Sequence, residues 1–153
     1  MSDAATKSDA PVLTMEREFT HPPEAVFKAW TQEEALRKWM GPEGVSAPES
    51  QMDARVGGKL IIPMITPNGK NPIARGKILE LVPDRKLRFT WAWDQEDGSA
   101  GQLMEITLEF TPTEKGTKFT LHQTGFIDEE TRDHHIHGWT GCCDKLEGYL
   151  AVL

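Results

Sequence analysis

The chain has 153 residues, of which 38% are hydrophobic and 27% are charged, and its net charge is -7 at pH 7. These values predict one globular domain that can bury a core without disulfides or metals. Binding to nucleic acid needs clustered positive charge, so the acidic balance argues against that class of partner. Residues 1–10 are small and polar, which predicts a disordered tail, not a signal peptide or an anchor.

The remaining residues, 11–153, contain no linker and no apolar run as long as a membrane span, so we expect a single domain and no membrane partner. The two cysteines, Cys142 and Cys143, are adjacent. Adjacent cysteines are poorly placed for an unstrained disulfide. Free thiols are typical of a reducing compartment, and we therefore expect a cytoplasmic protein.

The N-terminal part of the domain predicts one strand followed by two short helices. The strand covers residues 12–20 and ends at Pro22-Pro23, where the fixed φ of proline can open the first helix. Thr31-Gln-Glu-Glu34 resembles a capping box for the second helix, and Gly41-Pro42 ends that helix. Two tryptophans at helical spacing are predicted to anchor these helices by packing: Trp30 and Trp39.

From Val45 to Thr124 the hydrophobic period changes to two, which predicts about six antiparallel strands with one apolar face. Gly57-Gly58 suits a bulge or a sharp bend that lets the sheet curl. Turn residues separate the strands at Asn68-Gly69, Pro83-Asp84, Asp97-Gly98 and Lys115-Gly116. The predicted apolar face includes Phe89, Trp91, Trp93, Met104 and Ile106.

The C-terminal segment, Asp133 to Leu153, predicts one long amphipathic helix. His135 falls near the middle of its apolar face, whereas His134 and His137 point the other way. A titratable ring on a buried face is either satisfied within the core or offered to a cavity. The apolar face itself comprises Ile136, Trp139, Cys142, Cys143, Leu146, Tyr149, Leu150 and Leu153.

This order of elements predicts an α+β fold of two layers, in which a curved antiparallel sheet of six to seven strands is covered by the C-terminal helix. The helix is the only long element available to cover the apolar face of the sheet. A cavity can remain where large but sparse side chains separate the two layers.

Seven short motifs follow one another along the chain: Pro23–Trp30 (PEAVFKAW), Leu36–Trp39 (LRKW) with Gly41-Pro42, Gly57–Lys59 (GGK), Gly76–Pro83 (GKILELVP), Leu87–Trp91 (LRFTW), Gly116-Thr117 and His135–Trp139 (HIHGW). In this order they resemble the START-like or SRPBCC superfamily. Within that superfamily they are similar to the branch named after the activator of the heat-shock-protein-90 ATPase. Each motif alone is weak, but their ordered set is specific.

The resemblance implies a helix-grip fold, in which the sheet wraps the C-terminal helix around a deep apolar pocket. The superfamily includes lipid and hormone carriers, polyketide cyclases and hydroxylase domains, so function has to be argued from the site. The co-chaperone that names the branch carries a separate N-terminal domain, for which this chain has no room. A chaperone partner is therefore the weaker expectation.

We expect a small apolar or aromatic ligand, held between the sheet and the last helix, with no cofactor. His135 would supply the orienting polar contact in a mostly apolar pocket. The predicted walls are Trp139, Cys142, Leu146 and Tyr149 from the helix, with Trp91, Trp93, Phe89, Met104 and Ile106 from the sheet.

Other interpretations of the same residues stay open. His135 could instead be a core histidine bonded to a sheet carbonyl and stacked on Trp139. A metal site at His134, His135, His137 and the two cysteines is disfavoured, because helical geometry turns the histidines apart. A cysteine nucleophile or a carboxylate pair lacks a supporting pattern.

Two further functions remain as alternatives to simple ligand binding. In a cyclase-like or dehydratase-like enzyme, His135 would move a proton on a substrate folded in the pocket. In an interaction module, the domain would assist a chaperone or a stress regulator. Self-association as a homodimer is also left open.

Overall fold

The computed structural model describes residues 10–153, so the predicted tail at residues 1–10 falls almost entirely outside the described part. The strands are β1 (Leu13–Phe19), β2 (Gln51–Met52), β3 (Lys59–Pro63), β4 (Ile73–Val82), β5 (Lys86–Trp93), β6 (Met104–Pro112) and β7 (Thr117–Thr124). The helices are α1 (Pro23–Thr31), α2 (Glu33–Trp39) and α3 (Glu129–Ala151).

The seven strands form one antiparallel sheet in the order β1-β7-β6-β5-β4-β3-β2. Its curvature is helped by a register shift in β4 between Ile78 and Glu80. The backbone N–H of Gly57 donates to the Ile78 carbonyl, and the Ile78 N–H donates to the Gly58 carbonyl. Gly57 and Gly58 therefore stand opposite the single residue Ile78, and Gly57 has a φ of 87°, which is the pattern of a bulge at the predicted position. The predicted α+β helix-grip fold is confirmed.

The starts of two helices differ from the prediction. The Thr31 capping box is wrong, because the Thr31 hydroxyl donates back to the Phe27 carbonyl at 2.9 Å and α2 begins after Gln32. α3 begins one turn before Asp133, because the Asp128 carboxylate accepts a hydrogen bond from the Thr131 N–H at 2.8 Å. No helix within residues 10–153 has the length and apolar character needed to cross a membrane.

The buried face of α3 is narrower than predicted. Ile136 is 39% exposed and Tyr149 is half-buried, because both lie at the margins of the apolar face. Leu153 is exposed because it follows the last helical residue. The residues that α3 does bury are Trp139, Cys142, Cys143, Leu146 and Leu150.

Under α1 and α2 the core is filled by a packed aromatic cluster, which consists of Phe19, Phe27, Trp30, Trp39, Phe110 and Phe119. Each of these side chains is at most 8% exposed. Trp30 stacks on Phe119 at 5.9 Å between ring centroids and meets the edge of Trp39 at 4.9 Å. The Trp39 indole also donates to the Ala29 carbonyl at 3.0 Å. Both tryptophans are thus packing anchors, as predicted.

Candidate functional site

A cavity of about 320 Å³ lies between the first half of α3 and the end of β5. Its walls are almost entirely apolar, and it opens to solvent on one side. The residues that line it are Pro42, Met64, Trp91, Trp93, His134, His135, Gly138, Trp139 and Cys142.

Helical and strand periodicity bring the wall residues together. His135, Trp139 and Cys142 are four and three residues apart, so they project from one face of α3. Trp91 and Trp93 are two residues apart on β5 and therefore point to the same face of the sheet. Their rings meet edge to face, with centroids 5.6 Å apart.

Two loops complete the cavity wall. Pro42 follows α2, and α3 approaches it closely at Gly141, where an added Cβ would lie 3.1 Å from the Pro42 Cβ. The Lys145 ammonium donates to the Val45 carbonyl at 2.5 Å and ties the same loop to α3. Met64 follows β3, in a segment joined to the Pro42 loop by the bridge between Ser46 and Ile65.

Both ring nitrogens of His135 are hydrogen bonded. Nε2 lies 3.1 Å from Nε1 of Trp93, and Nδ1 lies 2.9 Å from the Thr131 carbonyl oxygen. An indole N–H can only donate and a carbonyl can only accept. The arrangement therefore assigns a neutral imidazole with its proton on Nδ1 and its lone pair on Nε2 facing Trp93.

The environment of His135 also favours the neutral ring. Burial lowers the pKa of His135 from its ordinary value of 6.5, although the bond to the Thr131 carbonyl acts in the opposite direction. The Phe126 ring contacts the imidazole edge to face, with centroids 5.3 Å apart. At pH 7 the cavity wall thus carries no charge at this position.

A second indole, that of Trp139, is held by a buried glutamine. The Trp139 N–H donates to Oε1 of Gln123 at 2.8 Å, and the Gln123 amide nitrogen lies 3.3 Å from the Met104 sulfur. Gln123 is fully buried, and this bond is what makes a polar side chain tolerable there. Among the described residues, Nε1 of Trp91 has no hydrogen-bond partner, and the same holds for Trp30 in the packed aromatic cluster.

The two thiols are suited to packing. Burial raises the pKa of Cys142 and of Cys143 to about 12. A thiol with so high a pKa is almost entirely protonated at neutral pH and is a poor nucleophile. Within residues 10–153 no group of three or more His, Cys, Asp or Glu side chains is placed to hold a metal ion.

The structure brings half of the predicted site residues to the cavity. Trp91, Trp93, His135, Trp139 and Cys142 line it. The other five lie outside its lining: Leu146, Phe89, Met104 and Ile106 are buried in the core, and Tyr149 is half-buried. That any of the ten binds a ligand stays a prediction.

Four lining residues were missed by the sequence prediction. His134 is exposed as expected, yet it also borders the cavity. Pro42 and Met64 come from loops whose positions depend on tertiary contacts. Gly138 could have been identified from the sequence. A glycine inside a helix costs about 1 kcal/mol of stability relative to alanine, so its presence indicates a packing or functional role. Here a side chain at position 138 would extend toward the cavity.

Known proteins resemble this chain in sequence and in structure. Residues 20–151 match the family described as activator of Hsp90 ATPase homolog 1-like protein. A search of curated proteins finds no match to the sequence.

Several solved structures share the fold. The AHSA1 protein from Silicibacter pomeroyi is 29% identical and superposes with a TM-score of 0.86 over 93% of this chain and 99% of its own. A protein from Chromobacterium violaceum is 28% identical, with a TM-score of 0.82 over 91% of this chain and 96% of its own. A protein from Nitrosomonas europaea is 25% identical, with a TM-score of 0.77 over 92% of this chain and 94% of its own.

The match of the family to residues 20–151 spans every element of the described fold except β1. The chain therefore belongs to the activator of Hsp90 ATPase homolog 1-like family, a branch of the START-like superfamily.

Proposed function

We propose that the protein binds a small, uncharged apolar or aromatic molecule in the cavity between α3 and β5. The observation that carries this proposal is the wall itself, in which three tryptophans and a neutral histidine surround unfilled space. The cavity opens to solvent, so its wall is an apolar concave surface, and such surfaces with a few polar groups are typical of ligand sites.

The size of the cavity indicates the size of the ligand. Binding pockets for small molecules start at about 300 Å³, and an apolar cavity of about half that volume is enough for a single benzene ring. A volume of about 320 Å³ accordingly suits a molecule of two fused or linked rings.

The charges around the cavity favour an uncharged ligand. No lysine or arginine lines it, and the neutral His135 ring offers no positive charge to an anion. His134, the other lining histidine, is exposed at the border of the cavity. A charged ligand would lose its hydration without gaining an ion pair, which is costly in an apolar site.

Proton transfer by His135, the enzymatic alternative, has weaker support. Nε2 of His135 already accepts the Trp93 N–H, so a substrate proton would have to displace that bond. The lowered pKa of His135 also makes the ring a weaker base than a free imidazole. Two free cysteines are compatible with action in a reducing compartment, and we propose the cytoplasm.

The proposal is tested by filling the cavity from α3. Outside the backbone of its own helix, an added Cβ at Gly138 meets no atom within 4 Å, so the side chain of Gly138→Leu has room to enter the cavity. The substitution also removes a helical glycine, which favours folding by up to about 1 kcal/mol. We expect isothermal titration with naphthalene to give binding to the wild type, and binding about tenfold or more weaker in the variant.

Gly148→Leu is the matched control. Gly148 lies on the same helix, away from the cavity, and an added Cβ there also meets no atom within 4 Å. This variant should gain helix stability and bind naphthalene as the wild type does. Equal binding by Gly138→Leu, or no binding of two-ring aromatics to the wild type, would contradict the proposed function.

A further inference from the structure

The cavity wall contains one place where a donor and an acceptor face each other. The Trp93 N–H points to the lone pair of His135 Nε2 across 3.1 Å, in a half-buried position, and both rings line the cavity. This bond joins β5 to α3 at a place where the sheet and the helix do not pack tightly against each other. Among the described residues, His135 Nε2 has no other hydrogen-bond partner.

A hydroxyl group is complementary to this pair. It can accept a hydrogen bond and donate one at the same oxygen. For an oxygen to bond to both rings, Nε1 and Nε2 have to separate from 3.1 Å to about 4.5–5.5 Å. The oxygen would then accept from the Trp93 N–H and donate to His135 Nε2, so one hydrogen bond would be replaced by two. A carbonyl or ether oxygen could satisfy only Trp93, and a carboxylate would meet the lone pair of His135 without a proton to donate.

We propose that the ligand is an aromatic alcohol or phenol whose hydroxyl inserts between Trp93 Nε1 and His135 Nε2. This inference rests on the proposed function, because it names the chemical class of the molecule that the cavity takes. The apolar walls hold the rings of the ligand, and the Trp93–His135 pair selects its single polar group.

The bond from His135 Nδ1 to the Thr131 carbonyl makes the pair suitable for this role. That bond keeps the proton on Nδ1 at 2.9 Å and so leaves Nε2 as an acceptor in the free protein and in the complex. The burial of His135 keeps the ring neutral at pH 7. The acceptor is therefore present before the ligand arrives, and its tautomer does not have to change.

The test compares three probes that share one ring system: naphthalene, 2-naphthol and 2-naphthoate. Isothermal titration at pH 7 gives the dissociation constant of each. We expect 2-naphthol to bind about fivefold more tightly than naphthalene, which corresponds to one net hydrogen bond. We expect 2-naphthoate to bind more weakly than either.

Variants then identify the side chains that form hydrogen bonds with the hydroxyl of the ligand. In the double variant Trp93→Phe/His135→Phe, which has neither group, the ratio of the naphthalene constant to the 2-naphthol constant should fall to one or below. Each single variant leaves one unpaired group that can still bond to the hydroxyl, so it should keep a preference for 2-naphthol. Because the ratio is taken within each variant, changes in cavity volume largely cancel. Gly148→Leu, which lies away from the cavity, should keep both the binding and the preference.

Several results would overturn the inference. Naphthalene that binds as tightly as 2-naphthol would overturn it and leave the proposed function standing, whereas no binding of either probe would remove both. A preference lost in Trp91→Phe and kept in the double variant Trp93→Phe/His135→Phe would assign the donor to Trp91, whose N–H lacks a partner among the described residues. Tighter binding of 2-naphthoate would show that the site selects charge.

A measurement on the wild type avoids any variant that fails to fold. Nitrogen-15 NMR can detect the coupling across the hydrogen bond between Trp93 Nε1 and His135 Nε2. This coupling should be present in the free protein and in the naphthalene complex and should vanish in the 2-naphthol complex. A coupling that persists with 2-naphthol bound would contradict the insertion.

Discussion

Two regions of the sheet are covered by helices and are rich in aromatic side chains, yet only one of them is filled. Under α1 and α2, the packed aromatic cluster leaves its rings in contact on all sides. Under the first half of α3, Trp91, Trp93 and Trp139 enclose a cavity of about 320 Å³. The regions meet where the rings of Trp30 and Trp139 lie 6.0 Å apart between centroids.

The difference lies in what fixes the rings. In the packed aromatic cluster, neighbouring rings fill space and define each position by contact. Around the cavity, contacts are missing on one side. Hydrogen bonds between side chains hold Trp93 to His135 and Trp139 to Gln123, whereas Trp91 is positioned by its neighbouring rings. Directional bonds can keep a wall in place where packing does not, and this lets the molecule maintain an open site.

The largest expected difference between the regions is in stability. Phe119→Ala should lower the free energy of unfolding by about 3–5 kcal/mol, because it opens a void in a filled core. Trp93→Ala removes a larger side chain, but one that is half-buried and already borders a void, so it should cost about half as much or less. Urea denaturation measures both values, and equal losses would show that the two regions are packed alike.

The buried bond between Trp139 and Gln123 should have an intermediate effect. Gln123→Met keeps the volume but leaves the Trp139 N–H without its acceptor, and we expect a loss of about 1–3 kcal/mol. In the Trp139→Phe background the same change should cost clearly less, because the donor is gone. Urea denaturation of the four proteins closes a double-mutant cycle, and strictly additive losses would mean that the bond contributes nothing.

The smallest expected effect is a dependence on pH that comes from His135. Folding lowers its pKa below 6.5, so the unfolded chain binds the proton more readily. The stabilisation from the neutral ring is therefore complete above about pH 6.5 and is lost as the pH falls through the folded-state pKa. The slope from one such group is at most about 1.4 kcal/mol per pH unit.

Subtraction isolates this contribution from that of other groups. The free energy of unfolding of the wild type minus that of His135→Phe should decrease as the pH is lowered from 7.5 to 5, because only the wild type loses the contribution of His135. A difference that stays constant, or grows on acidification, would show that His135 is not held as the neutral acceptor of the Trp93 N–H.

Periodicity predicted which faces of the elements are buried but not how far each cavity wall extends. Helical spacing placed His135, Trp139 and Cys142 toward the sheet, and strand alternation placed Trp91 and Trp93 toward the helix. Phe89 and Leu146 share those faces but lie in the filled core. Whether a position along a strand or helix borders the core or the cavity depends on the side chains that the opposite layer places against it. A repeat of two or 3.6 residues carries no such information.

The remaining parts of the site depend on contacts between distant segments. Pro42 reaches the cavity because α3 has a glycine at position 141, against which the loop packs closely. The Thr131 carbonyl and the Trp93 indole that fix the tautomer of His135 come from opposite layers of the fold. Sequence spacing could place His135 on a buried face, but not choose between a core and a cavity position.

The most direct test of a ligand site under α3 uses the five tryptophans as internal reporters. Titration with 2-naphthol, followed by the indole N–H signals in ¹⁵N–¹H spectra, should shift those of Trp91, Trp93 and Trp139 strongly. The signal of Trp39, whose N–H is bonded to Ala29 in the packed aromatic cluster, should stay in place. Shifts of Trp39 as large as those of the cavity tryptophans, or no shift of any indole, would contradict the account.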